Sequence, residues 1–174
     1  MGIRRVAFAS IAIIVLVGVS SVQAQPEPTV HFGQLVVGGS LGALVGGVGG
    51  GVVAYGICRA TTAAGPWADL ACFAGAILFG YLPGVPIGAT VGVSVAGGLQ
   101  KARGNVFLAF VGAGLGGAVA FFVSDWALRS LGDTPSAQAI RDVLIPLVFF
   151  GVIPISAGTG AAWGYTLTGR SGTE

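Results

Sequence analysis

The chain has 174 residues, 54% of them hydrophobic and only 8% charged, with 32 glycines and a mean hydropathy of +0.91. A soluble domain carries about a quarter charged residues, and a flexible linker is poor in Val, Leu, Ile and Phe, so neither class fits. The formal charge of +2 comes without a basic stripe or interleaved aromatics, which excludes a nucleic-acid partner and leaves the lipid bilayer as solvent.

The first 24 residues read as an export signal. "MGIRR" is a short positive start, "VAFASIAIIVLVGV" is an apolar run of signal-peptide length, and Val22 and Ala24 stand where a signal peptidase reads its substrate. Cleavage after Ala24 is expected, with an uncleaved signal anchor as the alternative. No cysteine follows that run, so a lipoprotein attachment site is missing. Residues 25–34 form a polar tail holding the chain's one histidine, His31, which reads as solvated.

Four apolar stretches follow, near 35–57, 71–97, 105–128 and 142–167. Each exceeds the ~20 residues that carry a helix across a hydrocarbon core. They are too long for strands and lack the alternation of an outer-membrane barrel. The sequence therefore predicts an all-α membrane protein with four transmembrane helices, arranged as two tandem helical hairpins over 35–97 and 105–167. A connector at 98–104 joins them, and 168–174 form a C-terminal tail. Thr134 followed by Pro135 reads as a helix start. Tyr55, Trp67 and Trp126 are expected at one membrane face, with Trp163 and Tyr165 at the other.

Small residues recur at every fourth position within the stretches. The first holds Gly38, Gly42, Gly46 and Gly50, and the second Gly80, Gly84, Gly88 and Gly92; the third holds Gly112 and Gly116, and the fourth Ser156, Gly160 and Gly164. Four residues turn a helix about 40° past a full circle, so each series traces a shallow groove. Such grooves admit a second backbone closely in lipid, where packing rather than hydrophobicity joins helices. These twelve glycines are the expected helix-packing residues. A weaker echo relates "LGALVGGVGG" (41–50) to "LAFVGAGLGG" (108–117) and "PIGATVG" (86–92) to "PISAGTG" (154–160).

Candidate chemistry is sparse. "GAGLGG" (112–117) fits a dinucleotide fingerprint, but a single apolar helix follows where a second strand is required. The lone histidine and dispersed carboxylates supply no catalytic, cofactor or metal site. Pro83, Pro86, Pro146 and Pro154 interrupt the even stretches, as kinks or as the broken helices of a transport path. Cys58 and Cys72 flank the first connector, either bridged or as two free thiols. A leader that exports residue 35 would put that connector in the reducing cytoplasm of an inner-membrane protein. A bridge would argue for the reverse orientation or the outer membrane. Positive charge does not decide between the faces: Arg59, Arg129 and Arg141 stand against Lys101, Arg103 and Arg170.

The series Gly38-Gly42-Gly46-Gly50 and Gly80-Gly84-Gly88-Gly92 resembles the glycine-zipper segments of small bacterial envelope membrane proteins. Those families often lie in or near the outer membrane and many are lipoproteins, from which this chain departs. Zipper capacity on every helix with no polar chemistry implies a non-enzymatic envelope protein, in the inner membrane by preference or the outer membrane. It also implies that the protein packs against copies of itself or another membrane protein. The layout of four glycine-rich helices with two cysteines also looks like the mitochondrial inner-membrane translocase family, but that family's Arg/Asp signature is missing. The alternative function is a channel for ions or small solutes, lined by the small-residue faces.

Overall fold

Uninterrupted apolar sequence with no backbone partner but itself must close its hydrogen bonds within each segment, and the chain does so as helices. The computed structural model describes residues 31–62, 65, 67–132 and 134–167. The signal expected over 1–24, most of the tail 25–34 and the tail 168–174 lie outside these. Four helices are long and apolar enough to cross a membrane: α1 (Phe32–Thr61), α2 (Ala68–Leu99), α3 (Val106–Arg129) and α4 (Pro135–Thr166). At 1.5 Å per residue they run from about 36 to about 48 Å, against a hydrocarbon core of about 30 Å.

The helices are longer than the apolar patterning predicts. α1 begins at Phe32, inside the expected polar tail, because the N–H groups of Gln34 and Leu35 find the carbonyl of His31. The N–H of His31 in turn donates to Gln100 Oε1 at 2.7 Å. α4 begins at Pro135, ahead of the apolar stretch expected from 142, and carries Arg141 and Asp142 within it. Its first turn is capped by Thr134, whose Oγ1 accepts from the Ala137 N–H at 3.2 Å, with proline at the first helical position. α3 is capped in the same way by Asn105, which accepts from the Leu108 N–H at 3.1 Å.

Packing follows residue size. α1 lies against α2 and α4, α3 lies against α4 and α2, and α2 and α4 meet across the middle. The core between them is built from small side chains: Ala43, Ala89, Ala109, Ala113, Ala157 and Ala161 are all fully buried. Leu35, Val85, Val93 and Ile153 fill the remaining volume. The large apolar side chains point outward instead, with Val45, Phe79 and Phe107 mostly exposed. A shell of that kind is unfavourable in water and normal in lipid. Inside the spans Thr90, Ser94 and Thr159 each donate to the carbonyl four residues back, at 2.7, 2.7 and 2.8 Å, whereas the buried Ser40 Oγ makes no hydrogen bond to the described residues.

The even helices contain one π-helical turn each, Ala76–Tyr81 in α2 and Val148–Val152 in α4. Both end two residues before a proline, Pro83 or Pro154. A proline ring clashes with the carbonyl four residues back, and a wider turn relieves that crowding. In α4 the Ile153 N–H reaches Val148 O. The next donor in that register would be residue 154, which has no N–H, so the Phe149 carbonyl is left short of a partner. The Tyr81 hydroxyl supplies it, donating to Phe149 O across the two hairpins. The two rings also meet edge to face at 5.5 Å. Tyr81→Phe should therefore cost about 1 kcal/mol of stability in detergent denaturation. It should cost little in a Pro154→Ala background, where a backbone N–H returns. An equal loss in both backgrounds would show that the hydroxyl serves another purpose.

Candidate functional site: the small-residue interfaces and the first connector

The glycines predicted from fourfold spacing come together in antiparallel pairs. Between α1 and α2, Gly38 faces Gly92, Gly42 faces Gly88, Gly46 faces Gly84 and Gly50 faces Gly80. The relation is reciprocal: a side chain placed on Gly42 would strike Gly88 O, and one on Gly88 would strike Gly42 O. Each Cα–H thus points at the opposite carbonyl, the geometry of a weak Cα–H···O contact repeated along the interface. α3 and α4 repeat the arrangement. Gly112 and Gly160 face each other reciprocally, Gly116 faces Ser156 O, and Gly164 faces Leu108 O.

The pairing also corrects the internal echo. Gly160 stands to Gly112 as Gly92 stands to Gly38, so α3 corresponds to α1 about two turns away from the register suggested by "LGALVGGVGG" and "LAFVGAGLGG". Glycine-rich segments match themselves at several registers, and only the partner helix selects one.

A second interface escaped the fourfold reading. The small residues of α1 come as doublets: Gly38-Gly39, Gly42-Ala43, Gly46-Gly47 and Gly50-Gly51. The first member of each faces α2, while the second members Gly39, Ala43 and Gly47 are buried toward the bundle centre. A side chain on Gly39 would lie 2.9 Å from Gly158 Cα and 2.7 Å from Val93 Cγ2. One on Gly158 would lie 2.5 Å from Ser40 Oγ and 2.8 Å from Gly39 C. Adjacent residues on a helix sit about 100° apart, so the Gly38-Gly39 doublet meets α2 and α4 at one level, whereas a side chain on Gly47 would meet Val85 and Tyr81 of α2. The doublet itself was the available signal.

At the α2–α3 end, Lys101 takes a positive φ of 55° and closes a C-terminal motif. The Ala102 N–H reaches Gly97 O at 2.9 Å and the Lys101 N–H reaches Gly98 O at 3.0 Å. Tyr165 was expected at the membrane interface but is buried here. Its hydroxyl donates to Ala102 O at 3.1 Å, and its ring occupies the space a side chain on Gly97 or Gly104 would need. Two glycines leave a slot, and the ring fills it better than a lipid headgroup could. Trp163, Trp67 and Trp126 remain exposed.

No family model, curated protein or solved structure matches the chain.

At the opposite end, Cys58 and Cys72 are bridged, with their Cα atoms 5.4 Å apart. Arg59 and Asp69 form an ion pair at 3.0 Å beside them, and the Tyr55 hydroxyl lies 3.5 Å from the same Asp69 oxygen. On the second hairpin Asp125 and Arg129 pair along one helix at 2.8 Å, and Arg141 Nε donates to Leu128 O at 3.2 Å. Among the described residues no three His, Cys, Asp or Glu side chains gather in one place. His31 is exposed at the start of α1, away from any such group.

Proposed function

We propose that the protein is a non-enzymatic structural component of a bacterial envelope membrane, delivered by its N-terminal leader, whose glycine-zipper hairpins form a rigid unit that assembles with copies of itself or a membrane-protein partner. The observation that carries this reading is the division of labour among the glycines. One set seals helix against helix inside the chain, as described above. A second set is unused: Gly49 and Gly56 on α1, Gly75 on α2 and Gly114 on α3 have no atom within 4 Å in the side-chain direction. In lipid a small residue facing outward leaves room for another helix to approach closely. The filled bundle axis, with Ala89, Val93, Ala113 and Ala157 fully buried, argues against a permeation path within one chain.

The test is assembly in native membranes. Blue-native electrophoresis and short-range crosslinking are expected to show an oligomer or a stable complex. Gly49→Leu combined with Gly56→Leu should shift it to monomer without lowering the unfolding midpoint. A protein that migrates only as a monomer, or a reconstituted monomer that passes ions, would overturn the proposal.

A further inference from the structure

The bridge at the first connector joins two sulfurs in unlike surroundings. Cys72 is completely buried, whereas Cys58 is partly exposed on the last turn of α1. The hydroxyl of Thr62 stands beside both, 3.6 Å from Cys58 Sγ and 4.0 Å from Cys72 Sγ. The Arg59–Asp69 ion pair spans the same two helix ends, so this end of the hairpin is tied by a contact that does not depend on the bridge. We propose that Cys58 and Cys72 are a site of oxidative modification, in which Cys58 forms the mixed disulfide with an extracytoplasmic thiol oxidant and Cys72 resolves it. The first and third connectors then face the oxidising side of the membrane.

The chemistry balances in two exchanges. The Cys58 thiolate attacks one sulfur of the oxidant's disulfide; that S–S bond breaks, and the departing oxidant thiolate takes up the proton Cys58 released. The Cys72 thiolate then attacks Cys58 Sγ. The Cys58–Cys72 bond forms, and the second oxidant sulfur leaves and is protonated in turn. Two protein thiols are oxidised, and the oxidant's disulfide is reduced by two electrons to a dithiol. Exposure sets the order, because a folded oxidant can reach Cys58 and not Cys72.

The consequence is topological. Cytoplasmic thiols are held reduced, so a stable bridge needs an oxidising compartment. A leader that exports residue 35 from an inner membrane would place the first connector in the cytoplasm whether or not it is cleaved, and the bridge is incompatible with that combination. The reverse orientation, or a membrane with no reducing face, is compatible with it.

Trapping in cells expressing the full chain tests this without any variant. After acid quenching, a polyethylene-glycol maleimide should add nothing before reduction and two labels after it; two labels before reduction would overturn the proposal. Ser130→Cys, in a background with both native cysteines changed to serine, should react with a maleimide that cannot cross the inner membrane. Protection of that residue would overturn the assigned orientation. Cys72→Ser should accumulate a reductant-sensitive mixed-disulfide adduct on the order of tenfold more than Cys58→Ser does. Equal or reversed yields would overturn the order of attack.

Discussion

Gly88→Leu should separate α1 from α2, lowering stability by at least about 3 kcal/mol, the upper end for overpacking a core. The size of the effect follows from what the new atoms would meet. A Cβ on Gly88 lies against the carbonyl of Gly42 and 2.9 Å from the Cα of Gly46, both backbone. A flexible side chain could rotate away from such a clash, but a helix backbone can yield only by moving the whole helix. That movement would also open the flanking pairs Gly46–Gly84 and Gly38–Gly92. Gly49→Leu is the matched control, since the same residue type on α1 meets nothing within 4 Å. In an intact monomer it should be neutral or slightly stabilising, because leucine favours a helix over glycine by up to about 1 kcal/mol. The measurement is helicity against SDS mole fraction for both variants in a mild detergent. Similar midpoints for the two would remove the reciprocal pairs as the basis of hairpin stability.

Most of this architecture was legible because lipid simplifies the code. Long apolar stretches without the alternation of a barrel close their hydrogen bonds as helices, and a small residue at every fourth position traces one face, so the partners of Gly42 and Gly112 could be anticipated in kind. Their registers could not. Nothing within α3 distinguishes pairing through Gly112 from pairing one or two turns along until α4 supplies Gly160. The doublets are present in the sequence, but fourfold counting absorbs only one member of each and leaves Gly39 and Gly47 without an assigned partner. Tyr81 and Tyr165 were hidden for a different reason. Each satisfies or fills something created by the fold, a carbonyl orphaned by Pro154 in one case and the slot beside Gly97 and Gly104 in the other. Tyr165, near the end of an apolar stretch, reads as an interface anchor unless the vacancy it fills is known, and Tyr81, well inside one, carries no such signal. The bridge lay between these cases: the sequence put Cys58 and Cys72 at the same end, and only the fold brings their Cα atoms within reach of one another.

The doublets also carry the second large prediction, which separates the two hairpins without breaking either. Gly158→Leu on α4 should cost about 2–3 kcal/mol while leaving the α1–α2 and α3–α4 pairs in place. Its side chain would enter the space of Ser40 and Gly39, while the α3 contacts of α4 run through Ser156, Gly160 and Gly164 on an adjoining face. Gly39→Leu should cost at least as much, since it meets Val93 as well as Gly158. The two variants enlarge the same gap from opposite sides. Once the hairpins have moved apart to admit one leucine, the second finds room already made, so the double variant should cost little more than Gly39→Leu alone. A coupling energy of at least about 1 kcal/mol in that cycle is the signature of one shared interface. Strict additivity would mean that Gly39 and Gly158 pack against separate neighbours and that the hairpins are joined elsewhere, through the α2–α4 contact at Tyr81 and Phe149. In that case Tyr81→Phe, rather than either glycine variant, would be the substitution that lets the hairpins part.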